Sequence, residues 1–280
     1  MNVKLKSRLE VSFIYLFIAF MFVIIAYPLL WTIGMSLNPG TSLYSAKLIP
    51  ENASLEHYKW LFTSPQSDYL IWYKNSLIVA LANSVLSVFF TALIAYAFSR
   101  YHFVGRKYGL YTFLILQMFP ALMAMVALYI LLNMLGLLDS LTGLIIVYVG
   151  GQIPFNAWLV KGYFDTIPKE LDEAARIDGA GHLGVFFKIM LPLAKPILAV
   201  VALFNFMAPF TDFILPSILL RSPEKFTLAL GLFNFINDQF ANNFTRFAAG
   251  SILIAVPIAA VFLFLQRYLI SGLTAGGTKG

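Results

Sequence analysis

Apolar residues run through this chain in long stretches broken by short polar ones. Stretches free of Asp, Glu, Lys and Arg lie between Glu10 and Lys47, Lys74 and Arg100, Lys107 and Asp139, Asp139 and Lys161, and Arg246 and Arg267. A further apolar run, Pro196 to Leu220, contains one charge, Asp212. A helix needs about 20 apolar residues to cross a bilayer core. The pattern therefore predicts an all-α membrane protein with six transmembrane helices, at about 11–33, 76–98, 110–135, 141–160, 197–220 and 248–268. Pro28, Pro120, Pro154, Pro216 and Pro257 fall inside or near these spans. Packed helical neighbours tolerate such prolines.

Composition supports this pattern. Of 280 residues, 60% are hydrophobic and 11% charged, against about a quarter charged in soluble domains. So few charges cannot cover a water-facing surface. The net charge of +6 is spread along the chain, which argues for loop charges that set orientation and against a nucleic-acid partner. Cysteine is absent, excluding disulfides, thiolate metal sites and cysteine nucleophiles. His57, His102 and His182 lie far apart, so no metal site is expected. With alternating sides, thirteen Lys and Arg fall on the side of both termini and six on the other. Both ends are therefore expected in the cytoplasm, with outer loops near 34–75, 136–140 and 221–247. The apolar run after Lys4, Lys6 and Arg8 is too long for a signal peptide and reads as an uncleaved first span. A single membrane domain over 1–280, without a simple repeat, is expected.

The loop 161–196 is different. It holds ten of the chain's 32 charges, of nearly balanced sign, whereas a plain inner connector would be short and basic. Pro168 suits a first helical turn, and Glu170, Asp172 and Glu173 lie where the helix dipole favours acids. Leu171, Ala174 and Ala175 fall at i, i+3, i+4 spacing and predict a small apolar face, with Gly179 as the stop. A second short helix is predicted over 183–191, ended by Pro192 and Pro196. This arrangement suits docking into a cleft on a cytoplasmic partner. A helix lying on lipid headgroups is the alternative, although such helices favour a basic polar face.

Glu173-Ala174-Ala175, Gly179, Ile189 and Leu191-Pro192 stand at the spacing of the EAA loop. The flanks Ile167-Pro168, Glu170-Leu171 and Asp178-Gly179-Ala180 fit too. On these residues the chain resembles the permeases of binding-protein-dependent ABC importers. The resemblance implies that Glu173, Ala174, Ala175, Asp178, Gly179, Ile189, Leu191 and Pro192 couple the membrane helices to an ATP-hydrolysing subunit. The C-terminal run from Gln266 to Gly280 resembles carbohydrate-type permeases, most of all the smaller permease of maltose/maltodextrin importers. It implies that the tail, with Thr274, Gly276, Gly277 and Lys279, reaches the ATPase. No phosphate-binding loop occurs, since Lys279 follows Thr278 and precedes neither Ser nor Thr. The resemblance thus implies a non-catalytic subunit without a cofactor of its own. ATP and Mg would be used by two partner cassette subunits. The other implied partners are a second permease subunit, an external sugar-binding protein touching the outer loop 221–247, and the bilayer of a bacterial cytoplasmic membrane. A different oligosaccharide as cargo remains an alternative.

Polar residues inside spans are costly and often functional. Asn83, Gln117, Asn205, Phe206 and Asp212 are the candidates for a substrate path, with Gln152, Asn156, Phe204 and Phe210 beside them. For the amides, hydrogen bonding between helices is the competing role. A secondary transporter would need several intramembrane charges and related halves. Only Asp212 is present here. An intramembrane enzyme would need a nucleophile–base set or metal ligands, and no span holds histidine or cysteine.

Overall fold

The computed structural model describes residues 3–41, 48, 50–237 and 242–277. The described residues are helical, in the order α1 (Val3–Ser36), α2 (Glu56–Thr63), α3 (Tyr69–Arg100), α4 (Gly109–Leu116), α5 (Ala121–Met134), α6 (Leu141–Asp165) and α7 (Glu170–Ile177). There follow α8 (His182–Val185), a π-helical turn Phe186–Met190, α9 (Leu191–Leu193), α10 (Lys195–Thr211), α11 (Ile214–Leu219), α12 (Leu228–Phe233) and α13 (Phe244–Gly277). Four helical segments among the described residues are long and apolar enough to cross a membrane: Glu10–Ser36, Tyr69–Arg100, Leu141–Asp165 and Phe244–Leu269. A fifth crossing results if the bent pair His182–Leu193 and Lys195–Thr211 counts as one.

Two of the expected helices are broken. The span 110–135 divides into α4 and α5 around Gln117–Pro120. Pro120 has no N–H to offer Leu116, and it pushes Phe119 out of the α region. The Leu116 carbonyl instead accepts from the Phe119 N–H at 3.2 Å. The span 197–220 breaks at Asp212, whose backbone is extended. Its Oδ1 then accepts the N–H groups of Ile214 at 2.9 Å and Leu215 at 3.3 Å, covering donors at the start of α11. Helix α6 runs on to Asp165, so Lys161 is helical and the loop is shorter than 161–196. The expected outer loop 34–75 is likewise shortened: α2 lies within it and α3 already starts at Tyr69.

The chain divides into two compact units. One comprises residues 1–67 and 232–254, the other 68–231 and 255–280. In the first, α1 turns most of its apolar side chains from Val11 to Ile33 outward, with Phe13, Leu16 and Phe22 each exposed by more than two thirds, while Met35 near its end is buried. In the same unit, the Arg246 guanidinium lies 3.6 Å from the centre of the Trp60 ring, which meets Phe235 edge-on. Phe235 is thus packed inside this unit, while Asn234 and Asn237 face outward. Residues 238–241, from the expected outer loop, lie outside the described residues.

The second unit is built on α3, α6 and α10, which pack side by side. Ala92, Ala95, Val160, Phe164, Leu198 and Val201 form its core together with Val185, Phe186 and Met190. Ser140 caps α6 by accepting the Gly143 N–H at 3.0 Å. Gly143 itself is required there, because a Cβ would stand 2.3 Å from the Leu137 carbonyl oxygen.

Candidate functional site

Helix α7 forms as the acids and glycine of its sequence predict, although it starts at Glu170, two residues after Pro168. It ends in a Schellman motif. The Gly179 N–H donates to the Arg176 carbonyl at 3.0 Å and the Ala180 N–H to Ala175 at 2.9 Å. Gly179 has φ +85°, the left-handed backbone that a side chain resists. A Cβ there would meet nothing within 4 Å, so backbone conformation alone selects glycine.

The small apolar face is not the expected one. Ala175 turns inward against the core, whereas Leu171 and Ala174 point to solvent. Ile177 is 86% exposed and Leu183 is 69% exposed. Glu173, Asp178 and Gly179 also lie on the surface. An isolated chain thus presents aliphatic side chains ringed by carboxylates, an arrangement that water disfavours and a partner cleft would cover.

A buried ion pair fixes this helix to the bundle, and the sequence analysis missed it. Arg100, the last residue of α3, donates from Nε to Asp172 Oδ2; the two side chains are 3% and 5% exposed. The same guanidinium donates to the Ile167 carbonyl at 2.9 Å and to Ser99 Oγ at 3.1 Å. Ser99 in turn donates to Asp165 Oδ1 at 2.7 Å. Arg100 therefore ties together the end of α3, the turn after α6 and the first turn of α7. No signal along the chain joins the two, because Asp172 reads as one of three acids in a first helical turn.

The second half of the motif serves packing. The helix continues past the predicted stop, through Pro192 to Leu193, and turns by 79° into α10. Pro192 cannot donate to Lys188, and the turn before it widens to π geometry. Leu191 packs against the core, Ile189 is half-buried and Pro192 is exposed.

The substrate-path candidates separate. Asn83 Nδ2 donates to Gln152 Oε1 at 3.1 Å and to the Asn205 carbonyl at 2.7 Å. Asn156 Nδ2 donates to Asn205 Oδ1 at 3.2 Å. These amides join α3, α6 and α10, the competing role considered from sequence. Phe206 and Phe210 are buried with them, and Phe204 is exposed. Gln117 sits at the α4–α5 break and donates to the Gly151 carbonyl at 2.6 Å. Asp212, besides capping α11, accepts the Tyr148 hydroxyl at 3.0 Å. Thr274, Gly276 and Gly277 lie in the last turns of α13, while Lys279 is outside the described residues.

At the opposite end of α6, Asp139 joins two loops. Its Oδ1 accepts the backbone N–H groups of Arg221 at 2.9 Å and Ser222 at 3.1 Å. Its Oδ2 accepts the Ser222 hydroxyl and, at 3.1 Å, Lys225 Nζ. Burial opposes ionisation, but these hydrogen bonds outweigh it and hold the carboxyl well below the usual carboxylate range.

These packed helices, with the short helix α7 clamped to their core, have a counterpart among solved transporters. A crystal structure of a bacterial ABC transporter that imports the acidic polysaccharide alginate shares this fold. The TM-score is 0.78 at 24% identity, over 94% of this chain and 97% of that one. Residues 85–274 match the family described as the binding-protein-dependent transport system inner membrane component. The chain belongs to that family and is a permease component of an ABC importer. Over 283 residues it is 51% identical to the galactooligosaccharides transport system permease protein GanQ of Bacillus subtilis (strain 168), covering 100% of this chain and 99% of that protein. It is 49% identical over 280 residues to the maltodextrin transport system permease protein MdxG of the same organism, covering 100% of both.

Proposed function

We propose that this permease carries oligosaccharides of the maltodextrin type. The observation behind this reading is end-to-end similarity to permeases named for maltodextrin and galactooligosaccharide transport. The complex assembled with its cassette and binding-protein partners should hydrolyse ATP faster when the binding protein is loaded. Linear maltodextrins should stimulate most. Stimulation by galactooligosaccharides alone would move the cargo to that class. Stimulation by no oligosaccharide would overturn the reading.

The mechanism is alternating access. Two partner cassette subunits close on ATP and Mg, and α7, seated in a cleft of one of them, moves with it. Leu171, Ala174 and Ile177 enter the cleft, Glu173 and Asp178 meet its cationic rim, and Gly179 sets the exit angle. Arg100 carries the displacement into α3. The tail with Thr274, Gly276, Gly277 and Lys279 reaches towards the cassette dimer. A second permease subunit completes the path, and Gln117 and Asp212, at two helix breaks, are better placed than the buried amides to respond to a passing sugar. The binding protein rests on the outer loops, including Asn234 and Asn237.

Six crossings with both ends in the cytoplasm accommodate the four long helices, the broken pair α4–α5 and the bent pair ending in α10. The absence of native cysteine makes labelling simple. Cysteines replacing the exposed Ala53 and Asn237 should react with an impermeant reagent from outside intact cells. One replacing the fully exposed Val104 should react only after the membrane is opened. Labelling of Val104→Cys in intact cells would reverse the orientation.

A further inference from the structure

Beyond the transport reading, a cavity of about 480 Å³ opens between α4, α6 and the start of α10. This is within the ~300–1,000 Å³ range of small-molecule sites. Arg106, Lys107 and Lys161 line it. Arg106 is held in place by donating to the Phe98 and Ser99 carbonyls, each at 2.9 Å. Lys161 pairs with Asp165 at 2.6 Å, the one acid among the described residues bonded to these cations. The Lys107 ammonium is 5.1 Å from the Tyr108 ring centre and is otherwise exposed. The cluster thus keeps a net positive charge and draws no acid from its own lining.

The remaining walls are aromatic and aliphatic. Trp158, Tyr111 and Tyr163 line the cavity together with Leu110 and Ile197. Tyr111 is 58% exposed and Trp158 is 40% exposed. Lys161 lies in the final turns of the apolar helix Leu141–Asp165. That is the depth at which hydrocarbon gives way to headgroups, where Trp and Tyr collect. A lining that joins cations to apolar and aromatic walls matches a molecule with an anionic head and acyl tails. A neutral sugar has no use for the cations, and a soluble anion has none for the apolar walls.

We propose that this cavity binds the phosphate headgroup of an anionic phospholipid, with Lys107 and Lys161 as the principal contacts and Arg106 as the fixed rim. The lipid would sit against α6 one turn from the start of the docking loop.

Gly162 offers a direct probe, since a Cβ there meets nothing within 4 Å and the chain has no cysteine. A bimane on Gly162→Cys, in the assembled importer in nanodiscs, is titrated with brominated phosphatidylglycerol or brominated phosphatidylcholine. The anionic lipid should quench at much lower mole fraction. The preference should fall about fivefold for each of Lys107→Gln and Lys161→Gln, the factor one cation contributes near an anionic surface. Equal quenching by both lipids would overturn the proposal, as would a preference that survives both substitutions. Relief of quenching by millimolar glycerol phosphate would assign the site to soluble phosphates instead. Wild-type charges suffice for the first comparison, so a poorly folding lysine variant does not obscure it. The readout does not depend on which sugar is carried.

Discussion

Asp172→Ala is expected to be the most damaging single change in the docking loop. Removing the carboxylate leaves the Arg100 guanidinium buried without its direct ion-pair partner, and breaking one side of a buried pair costs ~3–5 kcal/mol. That is a large share of a typical folding free energy of ~5–15 kcal/mol. The protein should unfold at lower temperature in detergent, reach the membrane in reduced amount, and lose the cassette subunit on purification. Arg100→Ala should behave alike. Replacing both residues together, Arg100→Leu with Asp172→Leu, should recover much of the stability, since apolar pairs of similar volume often substitute for buried ion pairs. Recovered stability without recovered uptake would mean that the charge pair transmits motion as well as holding the helix. Near-normal melting of both single variants would exclude the anchoring role.

Gly179→Val is expected to act differently. No neighbour lies within 4 Å of the new Cβ, so overpacking does not arise. The penalty is conformational: a side chain at φ +85° costs roughly 1–2 kcal/mol, more at a β-branched residue. A helix end can relieve that by unwinding its last turn, moving Ile177 and Asp178 while the bundle stays folded. Membrane abundance should remain close to normal, and sugar uptake should fall by an order of magnitude or more, with cassette subunit lost from the purified complex. Gly179→Asn should be milder, because asparagine visits the left-handed region more readily. Normal docking and uptake in Gly179→Val would remove α7 from the coupling mechanism. The two variants together separate anchoring from coupling: the first lowers stability and docking, the second docking alone.

Several features of this protein could be read along the chain because each depends on near neighbours. Bilayer-length apolar runs record what surrounds a segment, and Lys and Arg asymmetry predicts which side a loop occupies. The acids before Ala174 and the glycine after Asp178 announced a short helix with a defined stop, since the dipole and the C-terminal turn both act within a single turn. The spacing from Glu173 to Pro192 carried the family resemblance. Helix breaks were less visible. Pro120 and Asp212 fall inside bilayer-length apolar stretches, and the length of such a stretch does not register one missing N–H or one local cap.

The direction in which each side chain faces depended on packing. Ala174 and Ala175 are chemically alike, yet one faces solvent and the other the core. For Asn83, Asn156 and Asn205 the sequence favours bonds between helices over contact with sugar, but only the packing of α3, α6 and α10 names the partners. Arg100 and Asp172 are 72 positions apart, and nothing local to either names the other. Each is a common residue in a permissible place. Their pairing exists because the end of α3 and the start of α7 meet at a site closed to water, where a lone charge would be prohibitive and two opposite charges are not.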